Sequence, residues 1–230
     1  HEVYPARLST LARGYTIWEP TPGIDAVTDK RKRAVRVGDV GYMYMGMFQI
    51  LFNIHLEHDD PEQSTTLPEY FEPLPLDRRL AVSKHSRSQN VYKSSSVRSV
   101  GVVVGAQGPM LAGASASFST TRHQGAVLAV AGKINVENVL HKQNYEDYML
   151  KNIDRWHALT VQHGMGLKME EIILVTGRDL VRSWANAAFC STDFEASVSL
   201  EAEIMTIAEI KLAVNVRFSN IDGADYGWGP

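Results

Sequence analysis

The sequence predicts an α+β fold: a twisted, mainly antiparallel sheet carrying two long amphipathic hairpins, with one long central helix packed across it. Three observations predict it. After Leu140 the apolar positions Tyr145, Met149, Ile153, Trp156 and Thr160 recur at steps of three or four, while Lys151, Asp154 and Arg155 fall off that stripe. This is the pattern of a surface helix lying on a core. Ala112, Ala114, Ala116 and Phe118 alternate with Gly113, Ser115, Ser117 and Ser119, a period of two that marks a strand with one apolar face. The alternation returns more clearly when Ala196, Val198, Leu200, Ala202 and Ile204 interleave with Glu195, Ser197, Ser199, Glu201 and Glu203. It continues when Ile210, Leu212, Val214, Val216 and Phe218 interleave with Glu209, Lys211, Asn215 and Arg217. Each arm of that second hairpin is about 10 residues long, the length a tilted strand needs to cross a bilayer.

The 230 residues, 44% hydrophobic and 21% charged, fit one domain, 1–230, with a substantial core. A formal net charge of −3 argues against nucleic acid as a partner, because phosphate contacts call for a basic face. Cys190 is the one cysteine, and its setting AAFCST reads as a small core residue, which points to the cytoplasm. No apolar run approaches the ~20 residues of a membrane-spanning helix, a limit that leaves β-type membrane elements open.

Taken in order, Ala6, Leu8, Leu11 and Ala12 suggest a short helix, and GYTIWEP a strand-like end stopped by Pro20 and Pro22. Lys30, Arg31, Lys32 and Arg33 form a compact basic run, joined by Arg36. Such runs are commonly just solvated; against an acidic lipid surface each basic side chain contributes roughly 1 kcal/mol. Val40 to His55 reads as one or two core strands, with Gly41 and Gly46 at a bulge or tight turn. Four prolines make 59–75 an irregular but ordered loop, pinned by Tyr70, Phe71 and Leu74, and the polar, basic, serine-rich stretch 76–96 reads as partly mobile. The first hairpin spans Val97 to Thr120 around Gly105, Gly108 and Pro109. Ala126 to Val130 is a further strand, and Asn135 or Asn138 a candidate cap for the central helix. Gly164 and Gly166 end that helix, Ile172 to Thr176 is a buried strand turned by Gly177 and Asp179, and Leu180 to Phe189 is another.

No catalytic or cofactor motif stands out. His55, His58, Asp59 and Asp60 in HLEHDD are metal-ligand types, but alternate residues of a strand share a face and this spacing does not suit one. Ser183 and Asp179 lack the G-x-S-x-G elbow that a serine nucleophile needs. Neither G-x-G-x-x-G nor a P-loop follows Thr176 and Gly177. Arg178, Asp179 and Arg182 instead suggest an ion-pair network beside Trp184. The chain is therefore expected not to be an enzyme and to hold no cofactor or metal.

Along VRVGDVG (35–41), GMFQILFN (46–53), PEYFEPL (68–74) and MEEIILVTGRDLVRSWANAAF (169–189) the sequence resembles a family of mushroom-type fungal proteins without an established activity. Members of that family continue beyond the point matching Pro230 into a further apolar strand, which implies a chain incomplete at its C-terminus. The order of elements is similar to the pore-forming N-terminal domain of gasdermins: a basic region, an amphipathic hairpin, helical material with a buried strand, then a second hairpin. This resemblance implies a membrane-binding, pore-forming protein of fungal cell death or defence, cytoplasmic at rest and membrane-associated as a homo-oligomer when active. It assigns contact with acidic membrane lipids to Lys30, Arg31, Lys32 and Arg33. The membrane-facing hairpin positions become Ala114, Ala116, Phe118, Val198, Leu200, Ile204, Leu212, Val214, Val216 and Phe218. A one-face-buried soluble sheet shows the same alternation. The alternatives are a soluble protein- or sugar-recognition module presenting Tyr4, Tyr226 and Trp228, and a hydrolase with a site near Asp179, Arg182 and Ser183.

Overall fold

A computed structural model describes residues 3–11, 14–22, 33–76, 82–87, 91–106, 111–120, 124–131, 133–190, 197–207, 211–219 and 224–229. The α+β class holds, and the described ladders are antiparallel. Pairing is divided among four sheets rather than carried by one. The chain forms two compact units, His1–Glu19 with Arg87–Ile134 and Val181–Pro230, and Pro20–Ser86 with Asn135–Leu180.

The second of these units holds the long helix. Strands β1 (Asp39–Tyr44) and β2 (Met47–Asn53) form a hairpin. Gly46 lies in its left-handed turn beside Met45, and the register slips between Val40 and Gly41, so both glycines do what their positions suggested. A Cβ at Gly41 would lie 2.1 Å from the Gln49 carbonyl oxygen, which explains why no larger residue stands there. Helix α2 (Lys142–Gln162) lays Tyr145, Trp156 and Leu159 against Val40, Phe52 and Ile54, with Phe71 and Ile172 completing the core. Its partner is therefore the β1–β2 hairpin. Gly164 and Gly166 end it in left-handed conformations with φ of 64° and 65°.

Several expectations are corrected here. Asn135 and Asn138 do not cap the helix; they lie in strand β8 (Ile134–Val139), where buried Ile134, Val136 and Val139 provide the core face. His141 stands at the cap with no side-chain bond. The stretch 76–96 contains strands β3 (Val82–Arg87) and β4 (Val91–Lys93). Strand β3 is an edge of its sheet and largely exposed, so it shows no apolar alternation to read. The buried strand at 172–176 shrinks to β9 (Ile173–Leu174), which pairs with β1. Gly177 and Asp179 belong to β10 (Gly177–Leu180), paired with β8, rather than to a turn. In the proline-rich loop Phe71 is buried edge-on to Phe52, whereas Tyr70 is 75% exposed at φ 54° beside the Arg155 guanidinium.

A buried polar network ties this unit together. Asp39 is 0% exposed, and its carboxylate accepts two hydrogen bonds from Arg33 at 2.8 and 2.6 Å, one from the Arg36 amide at 2.6 Å and one from Asn53 Nδ2 at 2.8 Å. Gln63 closes on both backbone groups of Asn53, at 3.0 and 2.8 Å. His55 uses both ring nitrogens, Nδ1 toward the Leu74 carbonyl at 2.7 Å and Nε2 toward the Tyr145 hydroxyl at 2.9 Å, and so joins strand, loop and helix. The neutral tautomer with Nδ1–H donating to Leu74 lets Nε2 accept from Tyr145. HLEHDD is thus a structural segment: His58 packs edge-on against Phe71.

The other unit begins with α1 (Val3–Leu8), which buries Tyr4 and Leu8 against Ala126 and Ala188. The strand expected over GYTIWEP is absent: Trp18 packs edge-on to Tyr4 at 5.0 Å and its carbonyl accepts from Asn186 at 2.7 Å, so side-chain contacts replace a ladder.

Burial lowers the pKa of His55, so the folded state favours its neutral form. Its contribution to stability is complete above the unfolded value of about 6.5 and is lost as pH falls from there to the lowered folded value. Chemical denaturation across that range should show stability declining with acid, with a smaller decline in His55→Gln. Asp39→Ala strands the Arg33 guanidinium and should cost about 3–5 kcal/mol, measured by urea unfolding.

Candidate functional site

Strands β4, β7 (Gln124–Ala131), β11 (Ser183–Cys190) and β14 (Ala224–Gly229) form a base sheet in the order β14-β11-β7-β4. Its two central strands are built from small residues, QGAVLAVA and SWANAAFC, with Ala126, Val127, Ala185, Ala187 and Ala188 buried. The hairpin strands β5 (Val97–Ala106), β6 (Leu111–Thr120), β12 (Ser197–Ile207) and β13 (Lys211–Ser219) form a second sheet in the order β13-β12-β6-β5. The two orders correspond strand for strand. β4 precedes β5, β6 precedes β7, β11 precedes β12 and β13 precedes β14, so the hairpin sheet is the sequence continuation of the base sheet across all four strands.

The register of the hairpin sheet decides what its rows contain. Ala106, Ala112, Ile204 and Val214 stand in one cross-strand row; Val104, Ala114, Ala202 and Val216 in another; Val102, Ala116, Leu200 and Phe218 in a third. The rows between them are Gly105, Gly113, Glu203 and Asn215, then Val103, Ser115, Glu201 and Arg217, then Gly101, Ser117, Ser199 and Ser219. Alternate rows of a pleated sheet share a face, so one face is apolar across all four strands and the other mostly polar. Glu201 and Arg217 are register partners in the ladder. A shift of one residue between β6 and β12 would have mixed the two sets.

This ladder brings together the ten hairpin positions singled out in the sequence. Ala114, Ala116, Leu200, Ile204, Val214, Val216 and Phe218 lie in the three apolar rows. Phe118 pairs with Val198 one step nearer the base, and Leu212 stands opposite Thr206 toward the far end. Val102, Val104 and Ala106 were not singled out. The run Val102–Val104 hides their alternation, and a register shift between Ser99 and Gly101 sets their phase.

The junction between the sheets is visible on β4 and β5. Ser94 to Val97 makes a turn, closed by the Val97 amide donating to the Ser94 carbonyl at 3.0 Å. Buried Ser94 Oγ accepts the Ala126 amide at 3.1 Å, and Ser96 Oγ donates to the Gln124 carbonyl at 2.8 Å. With its proton so used, Ser96 Oγ accepts from Ser94 Oγ at 2.9 Å.

The remaining candidates are placed apart. Arg33, from the basic run, is held by Asp39, while Lys30, Arg31 and Lys32 lie outside the described residues. Tyr4 is fully buried and cannot present an exposed recognition surface, because α1 packs it on β7 and β11. Tyr226 and Trp228 lie in β14, opposite Ala187 and Ala185. Ser183 is 2% exposed on β11, which closes it to a substrate, whereas Asp179 and Arg182 are exposed. Of the residues expected in an ion network, Arg178 pairs with Glu137. Its carboxylate meets Arg178 Nε at 2.6 Å and Lys84 at 3.1 Å, and the Arg178 guanidinium, its largest influence, holds its pKa down. Among the described residues no group of three or more His, Cys, Asp or Glu is arranged to hold a metal, and no helix is long and apolar enough to cross a membrane. One apolar feature escaped the sequence reading: the β1–β2 turn exposes Tyr44 and Met45, the latter 67%. Only Gly46 signalled that turn.

Compared with protein-family models, curated proteins and solved structures, the chain finds no match in any of the three.

Proposed function

We propose that this chain is a non-enzymatic, gasdermin-like pore-forming protein of fungal cell death or defence that acts on acidic membranes. The observation that carries the proposal is the row register of β13-β12-β6-β5, which collects the apolar residues of two hairpins far apart in sequence onto one face. At about 3.3 Å per residue, strands of 9 to 11 residues run roughly 30–36 Å. That matches a ~30 Å hydrocarbon core crossed with some tilt.

In this reading the apolar rows face lipid, and the rows with Glu201, Glu203, Asn215 and Arg217 face water. The alternation of barrel strands has this form. Strands β5 and β13 are the edges of the described sheet, and pairing between copies at those edges supplies the homo-oligomer. Docking on acidic lipid falls to Lys30, Arg31 and Lys32, since Arg33 is committed to Asp39.

Dye release from vesicles containing acidic lipid tests the reading; no leakage and no binding at low salt would sink it. Leu200→Lys with Val216→Lys places two charges on the apolar rows at a cost of about 2–4 kcal/mol each at the bilayer midplane. Leakage should fall at least tenfold while vesicle binding is retained. Reversing Lys30, Arg31 and Lys32 to Glu removes roughly 1 kcal/mol per residue of attraction, about 3 kcal/mol together. Vesicle sedimentation should then show affinity reduced by about a hundredfold or more, with the difference shrinking in high salt.

A further inference from the structure

Two features of the first unit meet at the start of β7. One is the serine turn, in which Ser94 Oγ and Ser96 Oγ occupy the Ala126 amide and the Gln124 carbonyl. The other is the N-terminal segment: Arg7 donates to Gln124 Oε1 at 2.6 Å, Tyr4 and Leu8 pack on Ala126 and Ala188, and the Trp18 carbonyl accepts from Asn186 Nδ2. Gln124 is thus gripped through its backbone by the turn and through its side chain by α1. It also pairs with Cys190, the last residue of β11 before the chain runs on toward β12.

We propose that the N-terminal segment, acting through Tyr4, Arg7, Leu8 and Trp18, is a clasp that holds the Ser94–Ser96 joint closed, and that release of the clasp lets β4 and β5 join into one uninterrupted strand. The hydroxyls of Ser94 and Ser96 stand in for ladder bonds, and side-chain bonds of this kind compete with regular strand pairing on nearly equal terms. Opening the joint therefore exchanges one set of hydrogen bonds for another, and a small bias decides between the two states. The clasp supplies that bias through the burial of Tyr4 and Leu8 and the Arg7 and Asn186 hydrogen bonds. Because β5 follows this joint directly in sequence and pairs with β6, a change at the joint bears on the apolar rows through that pairing.

The proposal rests on the membrane reading for its consequence, but not for its test. Ser95 is exposed at the second position of the turn, where proline's fixed φ favours the turn. Ser95→Pro should lock the joint, and Arg7→Ala should loosen the clasp. Amide hydrogen exchange on the full chain is expected to slow over 124–131 and 183–190 in Ser95→Pro. It should quicken there by roughly fivefold in Arg7→Ala, with 39–53 unchanged in both. On acidic-lipid vesicles Ser95→Pro should bind without releasing dye, and Arg7→Ala should release it faster than the parent chain. Exchange at 124–131 that is the same in all three proteins overturns the joint, whatever the vesicles do. Where the parent chain leaks, equal leakage from Ser95→Pro overturns it as well. If no protein leaks but exchange shifts as stated, the joint stands and the membrane reading falls.

Discussion

The pairing of β6 with β12 is the constraint on which the rest of the hairpin sheet depends. Ala114 opposite Ala202 and Ala116 opposite Leu200 join segments more than eighty residues apart, and every other row of the sheet takes its phase from that register. Side chains alternate with a period of two, so a register has only two outcomes for an amphipathic strand: its apolar set joins its neighbour's, or it lands among the polar residues. Burying or inserting one coherent apolar face is favourable in proportion to its area, whereas a mixed face would leave Glu201 and Glu203 beside Leu200. The small residues of β6, LAGASASFST, permit close strand contact on both faces and leave the bulk of the apolar row to Leu200, Ile204, Val214, Val216 and Phe218.

The base sheet is constrained differently. Its central strands are alanine-rich and buried, and glycine faces the largest side chain: a Cβ at Gly229 would come within 2.4 Å of the Trp184 indole nitrogen. At the described junction, between β4 and β5, the chain turns through serines, and serine is suited to a junction. Its hydroxyl satisfies a backbone group without committing the chain to either a turn or a ladder.

In the other unit stability rests on a closed set of polar contacts around Asp39, Asn53 and His55 beneath a helix anchored by Trp156. An ion pair whose carboxylate is fully buried offers modest net stability, because desolvation offsets the attraction, but removing either partner is costly. That explains why a residue from a solvated-looking basic run turns out to be structural. Arg33 looks like Lys30 to Lys32 in a list of charges, and nothing local announces that a fully buried carboxylate lies six residues away.

The sequence by itself determined the class, the existence of the central helix and the apolar phase of β6, β12 and β13, because a period of 2 or 3.6 records directly which residues lie on one side of a local element. Glycine's identity likewise determined the helix stop and the Gly41 and Gly46 irregularities. Tertiary structure alone decided which sheet each strand joined, that the helix lies on β1 and β2, and that Asn135 and Asn138 sit in a strand. It also decided that β3 and β4 exist at all within a polar, serine-rich stretch. Strand partners are chosen by cross-strand contacts between distant residues, a quantity with no local signature, and an exposed edge strand has no apolar face to betray it. For the same reason the alternation in two hairpins was visible as two separate patterns, while their union into one four-stranded apolar face arose only from the register between them.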